Sequence, residues 1–553
     1  MRCGRVEEAS AIAKRVRCVI TRRNSVLLRN NDTRRNVRET WAKVREVTRG
    51  HRRVDEPTAS DLTADTLNKH YAAISTDANY ILTRRKHTVA DTGEYVTEEN
   101  VFNMLDRLKP TATGLDGLPA WFLKVSAPVL SAPLAALFNQ SIVSGVVPQQ
   151  WKTAVITPVA KVPIPIIESD YRPISITPVL SRLIERRIVT TFVYPALDYP
   201  PPDLNFSDQY AFRPTGSTTA AIVALLHTIC SMLSTNSYVR VFAIDFSKAF
   251  DSIRHHKLLD KMSSLQIPDQ IFNWMENFFS GRAHCTRFHD ELSPTATISA
   301  SVVQGSSIGP AAYVVTASDM RPQNNGNVII KSADDTYLVV PAANNHTCTD
   351  ELHYIQAWAS DNNLRLNTAK SREITFRAHS VRAKSEPLPP PCLDIKQVTQ
   401  LTALGVIIND RLTASDHVTE LLTSCSRLLY ALRVLKARGL PQQSLQDIFR
   451  ATVEAKLTYA APAWSGFCSA GDRVRLNAFL RRCTKLGYRD RGALDIDTLF
   501  TDCDERFFDK IKYNNSHILQ QFLPDRLTVN YNLRTRSRLS CVCQLYNKEY
   551  MIR

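Results

Sequence analysis

Several features that mark common classes of protein are missing from this sequence. No uninterrupted apolar stretch is long enough to cross a bilayer, and the N-terminus lacks the apolar core of a secretory signal. The 12 cysteines are scattered and include no Cys-x-x-Cys pair, so a zinc site has no support. Internal repeats are also absent. These absences predict an intracellular chain, in the cytoplasm and nucleus, whose cysteines are mostly small semi-apolar residues.

Positive charge, by contrast, is abundant and unevenly distributed. The chain has 553 residues and a formal net charge of +16, and residues 1–55 contain 16 Lys and Arg against 6 Asp and Glu. Such a basic excess is typical of a segment that binds polyanions, but a solubilising tail has the same composition, and both interpretations stay open. The apolar content of 44% suffices for a globular core, and the length predicts about three domains or subdomains.

Hydrophobic periodicity predicts a mixture of helices and strands. Thr97 is a suitable N-cap for an amphipathic helix, and Ala154–Ala160 is an apolar run of strand length that ends before a basic residue. Mixed strands and helices run from there to about residue 410. Beyond residue 415, apolar residues recur at three- and four-residue spacing, which predicts a separate helical bundle.

The most informative residues are two adjacent carboxylates, Asp334 and Asp335. They lie between two apolar, β-branched runs, a pattern that predicts a strand, a tight turn and a second strand. Burying two like charges side by side is costly unless a cation offsets them, and a divalent metal with oxygen ligands is the simplest such cation. A third acid, Asp245, ends the apolar run Tyr238–Ile244. The alternative, a set of solvated surface acids, is disfavoured because both flanks are apolar.

Six motifs lie around these acids, and they are Tyr171–Ser175, Asp208–Ser217, Phe242–Asp251, Gln304–Pro310, Ala333–Asp335 and Leu404–Ile408. In order and spacing they resemble those of reverse transcriptases, and more narrowly those of non-LTR (LINE-type) retrotransposons. The resemblance covers about residues 100–410. It implies an α+β fold of the right-hand polymerase type, with fingers, a palm built on a mainly antiparallel sheet, and a helical thumb.

The resemblance implies roles for residues that match these motifs. Asp245, Asp334 and Asp335 would be the catalytic acids and the ligands of two Mg²⁺ ions, for which Mn²⁺ can substitute. The backbone carbonyl of Phe246 would also reach a metal. Phe250 would exclude a ribose 2′-hydroxyl, although a buried core position explains it as well.

Gln304 and Gly305 match a loop that, in this family, supports the nucleotide and the template. Glycine at this place permits close approach of the backbone to a base, whereas an ordinary turn before Pro310 is the alternative explanation. For Asp251, inside the helix that follows Asp245, a capping role or pairing with Arg or Lys is the stronger interpretation.

Four cations are further candidates for substrate binding or catalysis. Lys161, Arg172 and Arg213 match positions where cations would meet the triphosphate. Lys370 could donate a proton to the departing pyrophosphate. A solvated surface position is an equal alternative for each of these side chains.

The resemblance also implies an order of domains. A basic linker or N-terminal extension is followed by a helical lead-in to the fingers, a fingers–palm domain, a thumb-like helical region and a C-terminal extension of unknown role. The boundaries are 1–95, 96–142, 143–410, 411–490 and 491–553.

The implied activity is RNA-directed DNA polymerisation, in which a primer 3′-hydroxyl attacks the α-phosphate of a dNTP. An RNA template and a DNA primer or target would be the partners, and no membrane is expected. Elements of this type usually also carry an endonuclease. No endonuclease constellation precedes residue 95, so we expect that activity to lie outside this chain. The chain would then be either a truncated genomic copy or only the polymerase end of a longer reading frame.

Two departures from the family's pattern keep other functions open. Ser332 stands where a Tyr or Phe usually packs near the primer end, and Ala311–Ala312 lacks the usual bulky pair. One alternative is therefore a decayed, catalytically weak copy that retains only nucleic-acid binding. A group II intron-type maturase is a second, and a structural or interaction protein that acts through its basic N-terminus is a third.

Overall fold

A computed structural model of the chain describes residues 62–87, 93–378 and 389–523. The described residues form two compact units, a first unit of residues 62–398 and a second unit of residues 399–523. Compactness does not report functional boundaries, so the five segments inferred from the sequence stay a prediction. Most of the predicted N-terminal extension lies outside the described residues.

Two sheets organise the first unit. One has the strand order β2–β1–β5–β6, with β7 also paired to β5, and the other, here called the central sheet, has the order β12–β11–β3–β9–β8. Short strands β4 and β10 pair with each other. The strands are β1 Thr153–Ala160, β2 Tyr171–Ile176, β3 Tyr238–Ile244, β4 Phe246–Ser247, β5 Arg282–Phe288, β6 Glu291–Leu292, β7 Ala296–Ile298, β8 Val328–Ser332, β9 Asp335–Pro341, β10 Arg365–Leu366, β11 Arg372–Arg377 and β12 Lys396–Val398.

The central sheet is antiparallel except for the parallel pair β11–β12. Its middle strands are almost continuously apolar and buried, which is the pattern of strands covered on both faces. Predicted strands at Tyr238–Ile244 and Ala154–Ala160 are therefore confirmed.

Helices pack around the sheets of the first unit. Thr97 caps its helix as predicted, because its hydroxyl accepts a hydrogen bond from the Asn100 N–H. The helices are α1 Ala64–Ile74, α2 Glu98–Asp106, α3 Ala120–Val125, α4 Ala127–Ser144, α5 Gln149–Lys152, α6 Val179–Ile188, α7 Tyr194–Ala196, α8 Thr218–Leu233, α9 Ala249–Ser252, α10 His255–Ser264, α11 Asp269–Phe279, α12 Gly309–Thr316 and α13 Cys348–Asp361, with a π-helical turn at Val189–Val193.

Helix α1 shows that part of the predicted N-terminal extension is folded. Leu67 and Tyr71 are fully or almost fully buried, and they pack with Ile156 of β1. The polar composition of this stretch hides a narrow apolar face at i and i+4 spacing.

Helix α4 is long and apolar enough, by length and composition alone, to cross a membrane, which the sequence reading did not predict. In this fold it packs against α2 and α11, and Phe138 and Ile142 are fully buried in the main hydrophobic core. The apolar side chains of α4 therefore contribute to the hydrophobic core of the first unit.

The second unit is mainly helical in its described part. A hairpin of β13 Gln400–Ala403 and β14 Val406–Asn409 turns at Leu404 and Gly405, which both have positive φ, as a two-residue turn requires. The predicted helical region after residue 415 is confirmed. Its helices are α14 Ser415–Ala437, α15 Gln442–Phe449, α16 Ala455–Leu457, α17 Ala461–Trp464, α18 Ala470–Lys485 and α19 Ile496–Lys512, with a π-helical turn at Arg450–Glu454.

Candidate active site

The two adjacent carboxylates lie at a tight turn between β8 and β9. Ser332 pairs with Asp335, so Ala333 and Asp334 form the turn, and Ala333 has a φ of +59°. Positive φ in a two-residue turn matches the twist of the flanking strands. The predicted strand, turn and strand are confirmed.

Asp245 reaches the same place from the neighbouring strand. In the antiparallel pairing of β3 with β9, Ile244 lies opposite Thr336. Continuing this register by one residue places Asp245 opposite Asp335. The structure therefore brings Asp245, Asp334 and Asp335 together at one end of the central sheet, although they are far apart in sequence.

The main chain of Asp245 is held on both sides. Its N–H donates to the hydroxyl of Ser371 at 3.2 Å, and its carbonyl accepts a hydrogen bond from the Asn367 N–H at 2.8 Å. Both partners lie in the segment that contains Lys370. This segment thus fixes the end of β3 where the third acid projects.

The electrostatics of the three acids show their mutual proximity. Burial, together with the charges of Asp334 and Asp245, raises the pKa of Asp335 to about 6. Burial also raises the pKa of Asp334, and the charge of Asp245 acts in the same direction, while Arg172 opposes the shift. Like charges held this close favour protonation unless a cation neutralises them.

The donor set of this cluster suits a hard divalent cation, because all three side chains offer carboxylate oxygens. Within the described residues, however, no group of three or more His, Cys, Asp or Glu side chains, these acids included, is arranged so that it could hold a metal ion by itself. An ion held here would need water or substrate oxygens among its ligands, as is usual for Mg²⁺.

Phe250 belongs to an aromatic stack next to the acids. Its ring lies 4.7 Å from that of Tyr313 with 23° between the planes, and Phe212 meets it edge-on at 6.2 Å. Phe250 is partly exposed, so packing and contact with a substrate are compatible. Phe246 is 4% exposed and packs at 5.9 Å from Trp358, which leaves only its backbone available to a ligand.

The loop of Gln304 and Gly305 is pinned against β2. The carbonyl of Gln304 accepts a hydrogen bond from the Ser175 N–H at 3.0 Å. Gly305 has a φ of +121°, and a Cβ there would overlap the carbonyl oxygen of Ser175. Further along, the Ser307 N–H donates to the buried carboxylate of Glu185 at 2.6 Å. Close backbone approach therefore explains the glycine.

Three of the four predicted cations form one electrostatic group. Partial desolvation lowers the pKa of Lys161, and the charges of Arg172 and Lys370 lower it further. Since Arg172 also acts on Asp334, this group lies close enough to the acids to interact with them electrostatically. All three cations are exposed, and the ammonium of Lys161 donates to the carbonyl of Ser169 at 2.9 Å.

Arg213 differs from the other three. Its guanidinium donates to the carbonyl of Phe206 at 2.6 Å and pairs with Asp198 at 3.3 Å. Burial lowers its pKa, with Asp198 opposing that effect. Through these contacts Arg213 holds neighbouring parts of the chain together. Its role in binding a triphosphate stays a prediction.

Three further positions around the acids and cations are notable. Asp251 lies half-buried in the short helix α9, and burial raises its pKa to about 6 although Lys248 and Lys161 act in the opposite direction. Ser332 is 5% exposed at the end of β8, so this small side chain faces packed atoms. Gln209, which contacts the turn of Asp334, was missed by the sequence reading because its partner is distant in the chain.

Comparison with known proteins identifies the fold that carries this cluster. Residues 160–408 match the family described as "Reverse transcriptase (RNA-dependent DNA polymerase)". This segment is a reverse transcriptase domain. The central sheet is its palm, and the predicted α+β, right-hand polymerase fold and the predicted resemblance to LINE-type reverse transcriptases are both confirmed.

Curated relatives of the chain come from fly transposons. It is 26% identical over 370 residues to the "Probable RNA-directed DNA polymerase from transposon X-element" of Drosophila melanogaster, covering 64% of this chain and 39% of the relative. It is 27% identical over 339 residues to the "RNA-directed DNA polymerase from mobile element jockey" of the same species, covering 59% and 36%. The chain therefore spans less than half the length of these relatives.

Among solved structures, a telomerase from Candida tropicalis in complex with a TWJ fragment of telomeric RNA is similar over 70% of this chain and 67% of that chain. The TM-score is 0.36 and the sequence identity 12%.

Proposed function

We propose that this chain is the RNA-directed DNA polymerase of a non-LTR retrotransposon, and that it extends a primer 3′-hydroxyl with dNTPs on an RNA template. The observation that carries the proposal is the register of the palm, which sets Asp245 opposite Asp335 and beside Asp334. The match of residues 160–408 to reverse transcriptases supports the same conclusion.

In this proposal Asp245, Asp334 and Asp335 hold two Mg²⁺ ions, with Mn²⁺ able to substitute. When bound, such ions activate an attacking hydroxyl and stabilise a leaving pyrophosphate. The raised pKa values of Asp334 and Asp335 support the assignment, because a cation removes the repulsion that causes part of the shift.

The remaining residues would orient the substrate and offset the negative charge of its phosphates. Arg172 interacts with Asp334 and Lys161 interacts with Arg172, so both cations lie where they would bind triphosphate oxygens. Lys370 would deliver a proton from its ammonium to the departing pyrophosphate. Phe250 would close the sugar site against a 2′-hydroxyl. Most of the rate enhancement would come from this positioning, as in other phosphoryl transfers.

A primer-extension assay on poly(rA)/oligo(dT) tests the proposal. We expect DNA synthesis with Mg²⁺ or Mn²⁺, its loss on chelation by EDTA, and its recovery when the metal is restored. Asp334→Asn should lower the rate by at least about 100-fold, because metal coordination contributes several kcal/mol to such reactions.

Asp361→Asn is the matched control, because Asp361 is an exposed acid at the end of α13, and it should keep the rate of the unaltered protein. Full activity in Asp334→Asn would refute the site. An unaltered protein that binds the duplex but never extends it would instead favour a binding-only copy, which the small, buried Ser332 beside the acids also favours.

A further inference from the structure

The outer edge of the palm sheet is covered by a short segment, residues 208–210, here called the strap. β8 is the last strand of the sheet. The Lys331 N–H of β8 donates to the carbonyl of Asp208 at 2.8 Å, and the Tyr210 N–H donates to the carbonyl of Lys331 at 2.8 Å. The strap therefore continues the sheet by one parallel bridge beside the strand that leads into the turn of Asp334.

Gln209, in the middle of the strap, reaches the turn itself. Its side-chain oxygen accepts hydrogen bonds from the Ala333 N–H at 3.0 Å and from the Ala211 N–H at 3.1 Å. Both partners are donors, so the amide orientation is determined by the contacts. Gln209 is 1% exposed, which excludes water as a ready substitute for this acceptor.

The turn needs such support because of its backbone. Ala333 has a φ of +59°, a region that residues other than glycine rarely adopt. Its N–H would be left without this acceptor if Gln209 were removed, and the next residue in the chain is Asp334. A rotation of the Ala333–Asp334 peptide would therefore move the carboxylate directly.

A buried ion pair anchors the strap to β8. Lys331 is fully buried, and its ammonium lies 3.0 Å from the carboxylate of Asp208 while donating to the carbonyls of Ala317 at 2.7 Å and Met320 at 3.1 Å. Burial raises the pKa of Asp208, and the charge of Lys331 opposes that effect. Because the pair is enclosed, the strap has little freedom to carry Gln209 away from the turn.

We propose that Gln209 is a positioning residue that sets the place of Asp334, and that the ion pair of Asp208 and Lys331 keeps it there. The inference rests on the proposed function for its catalytic consequence. Its structural part, that the side-chain oxygen of Gln209 holds the turn, stands independently of any activity.

The test compares Gln209→Met with the unaltered protein. Methionine has a similar volume but no strong acceptor, so the packing is kept and the hydrogen bond is lost. Hydrogen exchange should become faster in peptides that cover the turn between β8 and β9, and remain unchanged elsewhere in the palm. In primer extension, kcat should fall by about 10- to 100-fold, the scale of a displacement of about 1 Å, while KM for dNTP changes by less than about twofold.

Gln356→Ala is the control, because Gln356 is exposed on α13, and it should change neither measurement. Unaltered exchange at the turn in Gln209→Met would overturn the inference, and so would a normal kcat accompanied by faster exchange. If Gln209→Met does not fold, Gln209→Glu keeps acceptor oxygens at the same reach and should retain slow exchange at the turn. Rapid exchange in a folded Gln209→Glu protein would overturn the inference.

Failure of the proposed function gives a different result. An unaltered protein without polymerase activity would refute that function, and the exchange measurement would still decide whether Gln209 holds the turn.

Discussion

At the scale of single residues, the meeting of three acids at one end of the palm sheet could be predicted, but several of their neighbours could not. Asp245, Asp334 and Asp335 each adjoin an apolar run, and a carboxylate in that setting is informative without a structure. Gln209 carries no such local signal, since its role depends on a hydrogen bond to Ala333, which is distant in sequence. Arg213 was singled out from its motif, but the sequence around it did not reveal that it pairs with Asp198.

The stacking of Phe250 on Tyr313 leads to a prediction about sugar selection. Phe250→Ala should lower the preference for dNTPs over ribonucleotides by about 10- to 100-fold, because a side chain that fills the space of one hydroxyl discriminates on this scale. Single-nucleotide incorporation with a dNTP and its matching rNTP measures the ratio. Phe122→Ala, at an exposed phenylalanine of α3, should leave the ratio unchanged. Unchanged selectivity in Phe250→Ala would show that Phe250 serves only the core.

At the scale of elements, apolar runs and caps predicted the palm strands β3, β8 and β9, the strand β1 and the helix that Thr97 caps, whereas close approaches between elements were not predictable. The contact between the loop of Gln304–Gly305 and β2 depends on a backbone conformation that only the folded chain reveals. Helix α1 was missed as a packed element for a related reason. Its apolar residues are few, and their partners lie on a distant sheet.

Gly305→Ala should damage both the stability and the activity of the protein. The added Cβ would meet the carbonyl oxygen of Ser175, and the φ of +121° is unfavourable for alanine. We expect a loss of at least about 2 kcal/mol in the free energy of unfolding, or a displaced loop with strongly reduced primer extension. Urea unfolding and the extension assay measure the two effects. Gly492→Ala is the control, because nothing lies within 4 Å of its added Cβ. A Gly305→Ala protein with normal stability and rate would contradict this account of the loop.

At the scale of the whole molecule, buried histidines link stability to pH. Burial lowers the pKa of His255, His284 and His417 to about 4 in each case. Each ring stays neutral in the folded protein, but its pKa is near 6.5 when the chain is unfolded. As the pH falls from 6.5 toward 4, the unfolded state therefore binds a proton that the folded state does not, and the free energy of unfolding decreases. Asp251 and Asp335, whose pKa values are raised to about 6, act with the opposite sign over part of this range.

The effect of one histidine can be isolated by difference. Between pH 7 and pH 5, the unaltered protein should lose about 2 kcal/mol of unfolding free energy relative to His255→Gln, because only the unaltered protein must keep that ring neutral. Urea unfolding at the two pH values measures the difference. His346→Gln, at an exposed ring, should follow the unaltered protein. A difference for His255→Gln that does not vary with pH would show that the ring is not held neutral.

The division into two units also belongs to this scale, and it was only partly predictable. The change to helical periodicity after residue 415 predicted a separate helical region. The hairpin of β13 and β14, which precedes that change, also belongs to the second unit. Apolar periodicity cannot assign a short hairpin to one side of a boundary, because its strands have the same pattern in either unit.

The strap has a consequence for how copies of this protein meet. An uncovered strand at the border of a sheet offers its backbone to any neighbouring chain and is a common start of aggregation. At Lys331 both outward backbone groups of β8 are already occupied by residues 208–210. Crowded copies of this protein would therefore find no free backbone at this point to join sheet to sheet.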